Sequence, residues 1–181
     1  MIQEKYNKRI FDEATEESIE RYSHMRSNVL SPVGISSDDN VLVLDPDSIS
    51  LVEWIKEQAA SVTIGMSEEY ISNDSVSALM PDAVDKTNLD DINSTFNIII
   101  SLGTLVDTPA SLKKKLNPTG KLVYAFSEKD HMASFTKKLL AEAGFDDVIT
   151  YRVSPDYMYT SEIYSEDYVG GGAGDYLLIA R

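Results

Sequence analysis

The chain has 181 residues, the length of a single domain, and its 43% hydrophobic content can bury a real core without a disulfide or metal to staple it. With 16 Lys+Arg against 30 Asp+Glu, the net charge of −14 opposes contact with nucleic-acid phosphates and anionic membrane surfaces, so no nucleic-acid partner is expected. The lack of cysteine excludes thiol catalysis, iron–sulfur clusters and thiolate zinc sites. No apolar run approaches the roughly 18 residues of a spanning helix, and Met1-Ile2-Gln3-Glu4-Lys5-Tyr6 lacks the order of a signal peptide, so the chain is read as cytoplasmic with no membrane insertion.

The first 30 residues are helical in pattern, with Ile10, Ala14, Ile19 and Tyr22 recurring among Asp12, Glu13, Glu16, Glu17 and Glu20. Ser31-Pro32-Val33-Gly34 stops this helix, and 36–40 is a polar turn. An N-terminal helical segment, 1–37, is thereby set apart from an α/β domain, 38–181. Val41-Leu42-Val43-Leu44 is a continuous apolar run, suited to a strand buried on both faces. A helix is predicted over 49–60, strands over 62–64 and 76–80, and the clearest strand of the chain over 96–101. A helix over 109–116, a Pro118-Thr119-Gly120 turn and a strand over 121–126 follow. The helix over 134–143 ends at Gly144, a good C-cap residue, and strands over 148–153 and 176–180 complete the set. Strands alternating with helices predict an α/β fold with a seven-stranded, mostly parallel sheet and helices on both faces.

Sheets of this kind bind ligands beyond the C-terminal ends of their strands, where strand order reverses. A nucleotide-type ligand wants a glycine turn after the first strand and a carboxylate after the second, for the ribose hydroxyls. Asp47, Ile49 and Leu51 stand where the glycines would be, and Gly65-Met66 stands where the carboxylate would be.

From residue 38 onward the chain resembles the class I S-adenosylmethionine-dependent methyltransferases. Asp82-Ala83, followed by Phe96-Asn97-Ile98-Ile99-Ile100-Ser101, is similar to that family's "DA … FDxxxS" passage. Leu116-Asn117-Pro118-Thr119-Gly120-Lys121-Leu122-Val123 is similar to its "LKPGGxLV" turn and fifth strand. Leu139-Leu140-Ala141-Glu142-Ala143-Gly144-Phe145 resembles "LLxEAGF", Ser67-Glu68-Glu69-Tyr70 resembles the "SEEM" after the second strand, and Tyr176-Leu177-Leu178-Ile179-Ala180 resembles the last strand. The resemblance implies a Rossmann-like methyltransferase fold and S-adenosylmethionine as cofactor. It implies donor contacts from Asp45, Asp47, Gly65, Asp82, Ala83, Ser101 and Gly103, with Asp82 a partner for the adenine amino group.

The departures fall on that pocket. The family's first loop reads roughly "VLDxGxGxG", whereas this chain reads Val43-Leu44-Asp45-Pro46-Asp47-Ser48-Ile49-Ser50-Leu51. The stretch from Asp45 to Ser67 is shorter than the family's, as though the glycine loop were deleted. Gly65 replaces the acidic residue two before the serine.

Other residues carry plainer readings. Asp47 or Ser48 reads as the N-cap of the following helix, with a donor contact or cation site as the alternative. His131 reads as a surface residue, with a general base as the alternative, and with His24 the only other histidine, one chain cannot build a multi-histidine metal site. Gly170-Gly171-Gly172-Ala173-Gly174 precedes a strand rather than opening a helix, so it reads as a loop and not a phosphate cradle. Lys113-Lys114-Lys115 complements a helix C-terminus. Tyrosines crowd 154–175, which reads either as a lid or protein-partner surface or as a hairpin packed on its own domain edge. Two functional expectations follow: a degenerate, non-catalytic binding or assembly module, or an active methyltransferase acting on a small-molecule or saccharide acceptor through an atypical donor loop.

Overall fold

Val41, Leu42, Val43 and Leu44 are all buried, and their side chains alternate between two apolar layers. The continuous apolar run thus belongs to a central strand, as its composition requires. The computed structural model describes residues 15, 22, 24–72, 85–103, 105–127, 133–153, 160–163 and 175–181.

The described strands are β1 (Asn40–Leu44), β2 (Ser61–Met66), β3 (Asp85–Asn88), β4 (Phe96–Leu102), β5 (Leu116–Ser127), β6 (Val148–Val153), β7 (Thr160–Ile163) and β8 (Asp175–Ala180). They form one sheet in the order β3-β2-β1-β4-β5-β8-β6-β7. Pairings β3-β2, β2-β1, β1-β4 and β4-β5 are parallel, and β8 runs antiparallel to both β5 and β6. Beyond the seven-strand pattern, β7 adds a short antiparallel edge on β6. The third strand is Asp85–Asn88, where no strand was predicted, and the one predicted over 76–80 lies outside the described residues. Asp-Lys-Thr-Asn carries no apolar signal because this strand lies at the sheet's edge, with only one neighbour to satisfy.

Helices cover both faces. On one, a 3-10 helix (His24–Val33) and α1 (Ile49–Gln58) bury Val29, Leu30, Val33, Leu51, Val52 and Ile55 against Val41, Val43, Ile98 and Ile100. On the other, α3 (Pro109–Lys114) and α4 (Ala133–Glu142) bury Leu112 and Leu140 against Leu42, Ile99, Leu122 and Phe126. A one-turn helix, α2 (Glu68–Ser72), follows β2. No helix of the described residues is long and apolar enough to cross a membrane.

Local chemistry accounts for the ends of these elements. Ser48 caps α1, its hydroxyl accepting from the Leu51 N–H at 3.4 Å, as the cap reading anticipated. Gly144 (φ +88°) closes α4 with its N–H on the Ala141 carbonyl and the Phe145 N–H on the Leu140 carbonyl. That pair of bonds is a Schellman motif, with Leu140 and Phe145 in one apolar layer. Two of the three lysines have distinct partners: the Lys113 ammonium lies 4.4 Å from the centre of the Phe145 ring, and Lys115 Nζ donates to the carbonyls of Leu89 and Ile92. Lys121 Nζ donates to the Val33 carbonyl, tying β5 to the N-terminal 3-10 helix.

Candidate functional site at the strand exits

The sheet reverses its strand order between β1 and β4, so their C-terminal ends open a crevice. A cleft of about 380 Å³ lies there, lined by Asp45, Ser67, Glu69, Tyr70, Leu102, Gly103 and Val106. That volume is near the lower end of the range for small-molecule sites, roughly 300–1,000 Å³.

Asp45 is the first residue beyond β1 and has φ +40°, a left-handed conformation that aspartate tolerates better than most residues. Its N–H donates to the Gly65 carbonyl at 3.1 Å. One carboxylate oxygen accepts the Ser67 N–H at 2.8 Å, and the other accepts the Ser67 hydroxyl at 2.5 Å. Ser67 Oγ in turn accepts the Tyr70 N–H at 3.2 Å, and the Tyr70 hydroxyl donates to the Pro46 carbonyl at 2.7 Å. The circuit Asp45–Ser67–Tyr70–Pro46 bolts the exit of β1 to that of β2. Burial, and then the negative charges of Asp45 and Asp47, hold the Tyr70 phenol protonated well above the ordinary tyrosine range.

The structure brings together some of the residues named from the sequence and separates others. Asp45 and Gly103 (φ +99°) line the cleft. Asp47 is exposed beside it. Ser101 is buried within β4, in register with Leu44 and Tyr124, and the next residue, Leu102, lines the cleft instead. Gly65 is buried: a Cβ there would sit 3.1 Å from side-chain atoms of Leu42 and Leu44 and 3.2 Å from Ile92. Asp82, Ala83 and His131 lie outside the described residues, as do 154–159 and 164–174 of the tyrosine-rich segment, the glycine-rich stretch 170–174 included. Ser67, Glu69, Tyr70, Leu102 and Val106 line the cleft without being among the expected site residues. The first three stand in the Ser67-Glu68-Glu69-Tyr70 phrase, a signal for the site as well as for the fold.

Four residues separate β1 from α1, with no glycine among them. Both carboxylate oxygens of Asp45 are engaged by Ser67, and the first turn of α1 is capped by its own Ser48. A carboxylate at position 65 would start from the apolar layer of Leu42, Leu44 and Ile92. Ile49 and Leu51 do not fill the cleft; they pack into the layer beneath α1.

Sheet order, an antiparallel strand between β5 and β6, and a cleft at the reversal point define a Rossmann-like domain of the methyltransferase type. Comparison with solved structures gives the same class. The chain is similar to a TehB-like SAM-dependent methyltransferase from Corynebacterium glutamicum, with a TM-score of 0.62 and 13% identity, covering 98% of this chain and 96% of that one. It is also similar to a precorrin-6y C5,15-methyltransferase from Geobacter metallireducens (TM-score 0.54, 14% identity, 86% of each chain). A third similar structure is a ribosomal protein L11 methylase from Lactobacillus delbrueckii (TM-score 0.52, 14% identity, 87% of this chain and 76% of that one). No protein-family model matches the chain, and no curated protein matches it. At such identities the likeness is one of fold.

Proposed function

We propose that this chain is a methyltransferase-fold domain that does not transfer a methyl group and works as a binding or assembly module. The observation that carries the reading is the short, glycine-free connection of four residues between β1 and α1, at the point where the family's loop would cradle the donor. The apolar surroundings of Gly65 support it. The ligand is a small molecule in the strand-exit cleft, and the tyrosine-rich segment 154–175 is the proposed surface for a protein partner.

Calorimetric titration with S-adenosylmethionine and S-adenosylhomocysteine tests this. The expected result is no binding heat from a folded sample at millimolar ligand. Micromolar affinity for either compound overturns the reading. It would favour the second one, an active methyltransferase with an atypical donor loop and a small-molecule or saccharide acceptor. The feature that speaks for this alternative is the cleft itself, which opens where the sheet reverses its order.

A further inference from the structure

The ionisable side chains lining the cleft are Asp45, Glu69 and the phenol of Tyr70, and the lining includes no lysine, arginine or histidine among the described residues. Among those residues no basic side chain forms an ion pair with either carboxylate. Asp45 is held rigidly by Ser67, yet the donors are a neutral amide and a neutral hydroxyl, so its charge is oriented without being cancelled. Each of its oxygens keeps a lone pair beyond the one Ser67 occupies. Leu102 and Val106 supply apolar wall. A cleft with one sign of charge and low-dielectric walls concentrates ligands of the opposite sign, and the net charge of −14 extends that field outward.

We propose that the strand-exit cleft takes a small organic cation, an amine with a short apolar body, and excludes ligands of net negative charge. The inference rests on the reading above that this cleft is the chain's ligand site, and it names the class of ligand. The ammonium sits between the Asp45 and Glu69 carboxylates while the apolar body lies on Leu102 and Val106.

The test uses the full chain and three probes with one aromatic body: phenethylamine, phenylacetate and 2-phenylethanol, followed by titration calorimetry and ligand-observed NMR. Phenethylamine is expected to bind, more weakly as salt rises through about 0.1 M, where the screening length is about 10 Å. Phenylacetate is expected not to bind, and the alcohol to bind less well than the amine. Glu69→Gln alters an exposed side chain on a short helix, leaving the fold intact, and is expected to weaken the amine roughly fivefold, the size of one exposed charge interaction. Phenylacetate binding as well as the amine, or a Glu69→Gln affinity equal to that of the parent, overturns the proposal. If S-adenosylmethionine binds at micromolar level and phenethylamine competes with it, the non-transferring reading fails and the cation class stands. If neither amine nor donor binds, the cation class fails and the non-transferring reading stands.

Discussion

Asp45 and Ser67 lie 22 residues apart and meet at the ends of neighbouring parallel strands, where one carboxylate takes both the N–H and the O–H of the serine. The contact makes a single rigid edge from two strand exits and sets one wall of the cleft. It also accounts for an aspartate at φ +40°, since the cost of that backbone is offset by two hydrogen bonds to a charged acceptor.

Asp45→Ala removes both bonds and leaves a residue ill-suited to the left-handed conformation. A loss of about 2–4 kcal/mol is expected in urea denaturation. Asp45→Asn keeps one acceptor oxygen and tolerates the backbone, so about half that loss is expected. An Asp45→Ala variant within about 0.5 kcal/mol of the parent would show that the bridge contributes little to stability.

Gly65 is held small by its neighbours rather than by its own backbone angles. Gly65→Ala must displace the methyl ends of Leu42, Leu44 and Ile92 by a few tenths of an ångström, at a cost of about 1 kcal/mol. Gly65→Glu would place a carboxylate among those side chains and is expected to lose about 3 kcal/mol or more without gaining donor affinity. A stable Gly65→Glu protein that binds S-adenosylmethionine would contradict this placement.

The Tyr70 phenol gives an alkaline signature. In the unfolded chain it ionises near pH 10, whereas burial and the two aspartates keep it protonated higher in the folded chain. Above about pH 10 the folded state therefore binds more protons than the unfolded one, and stability falls as pH rises; below that pH the contribution is constant. Lys121 works in the opposite sense, because burial lowers its pKa: just below its ordinary range the unfolded chain holds more protons, and stability rises with pH. Denaturation midpoints between about pH 9 and 11 should fall less steeply in Tyr70→Phe than in the parent. The variant should also lose about 1 kcal/mol at neutral pH with the bond to Pro46. Parallel alkaline slopes for the two proteins would refute the assignment.

Gly144 offers a clean measure of backbone cost, because a methyl added there meets nothing within 4 Å. At φ +88°, Gly144→Ala is expected to lose about 1 kcal/mol from strain alone, and Gly144→Asn less. Equal thermal midpoints for the glycine and alanine proteins would contradict this.

Much of the architecture was legible along the chain because its signals are local. Val41 to Leu44 had to be a strand buried on both faces, since no other element hides four successive apolar side chains so well. Ser48 and Gly144 mark helix ends by chemistry that acts within three or four residues. The edge strand Asp85–Asn88 escaped notice because an edge asks for little apolar composition. β7 is a second edge strand, also placed by the structure.

The site divides in the same way. The sequence by itself determined that the first loop has no glycine cradle and that the second strand ends without a carboxylate, because these are matters of residue identity. Only the tertiary structure decided that Asp45 is held by Ser67, that Gly65 faces an apolar layer, and that Leu102 rather than Ser101 lines the cleft. Those outcomes depend on strand order and on which face each residue of a pleated strand presents. Strand order is set by packing among elements far apart in the chain, and a shift of one residue sends every side chain of a strand to the opposite face of the sheet.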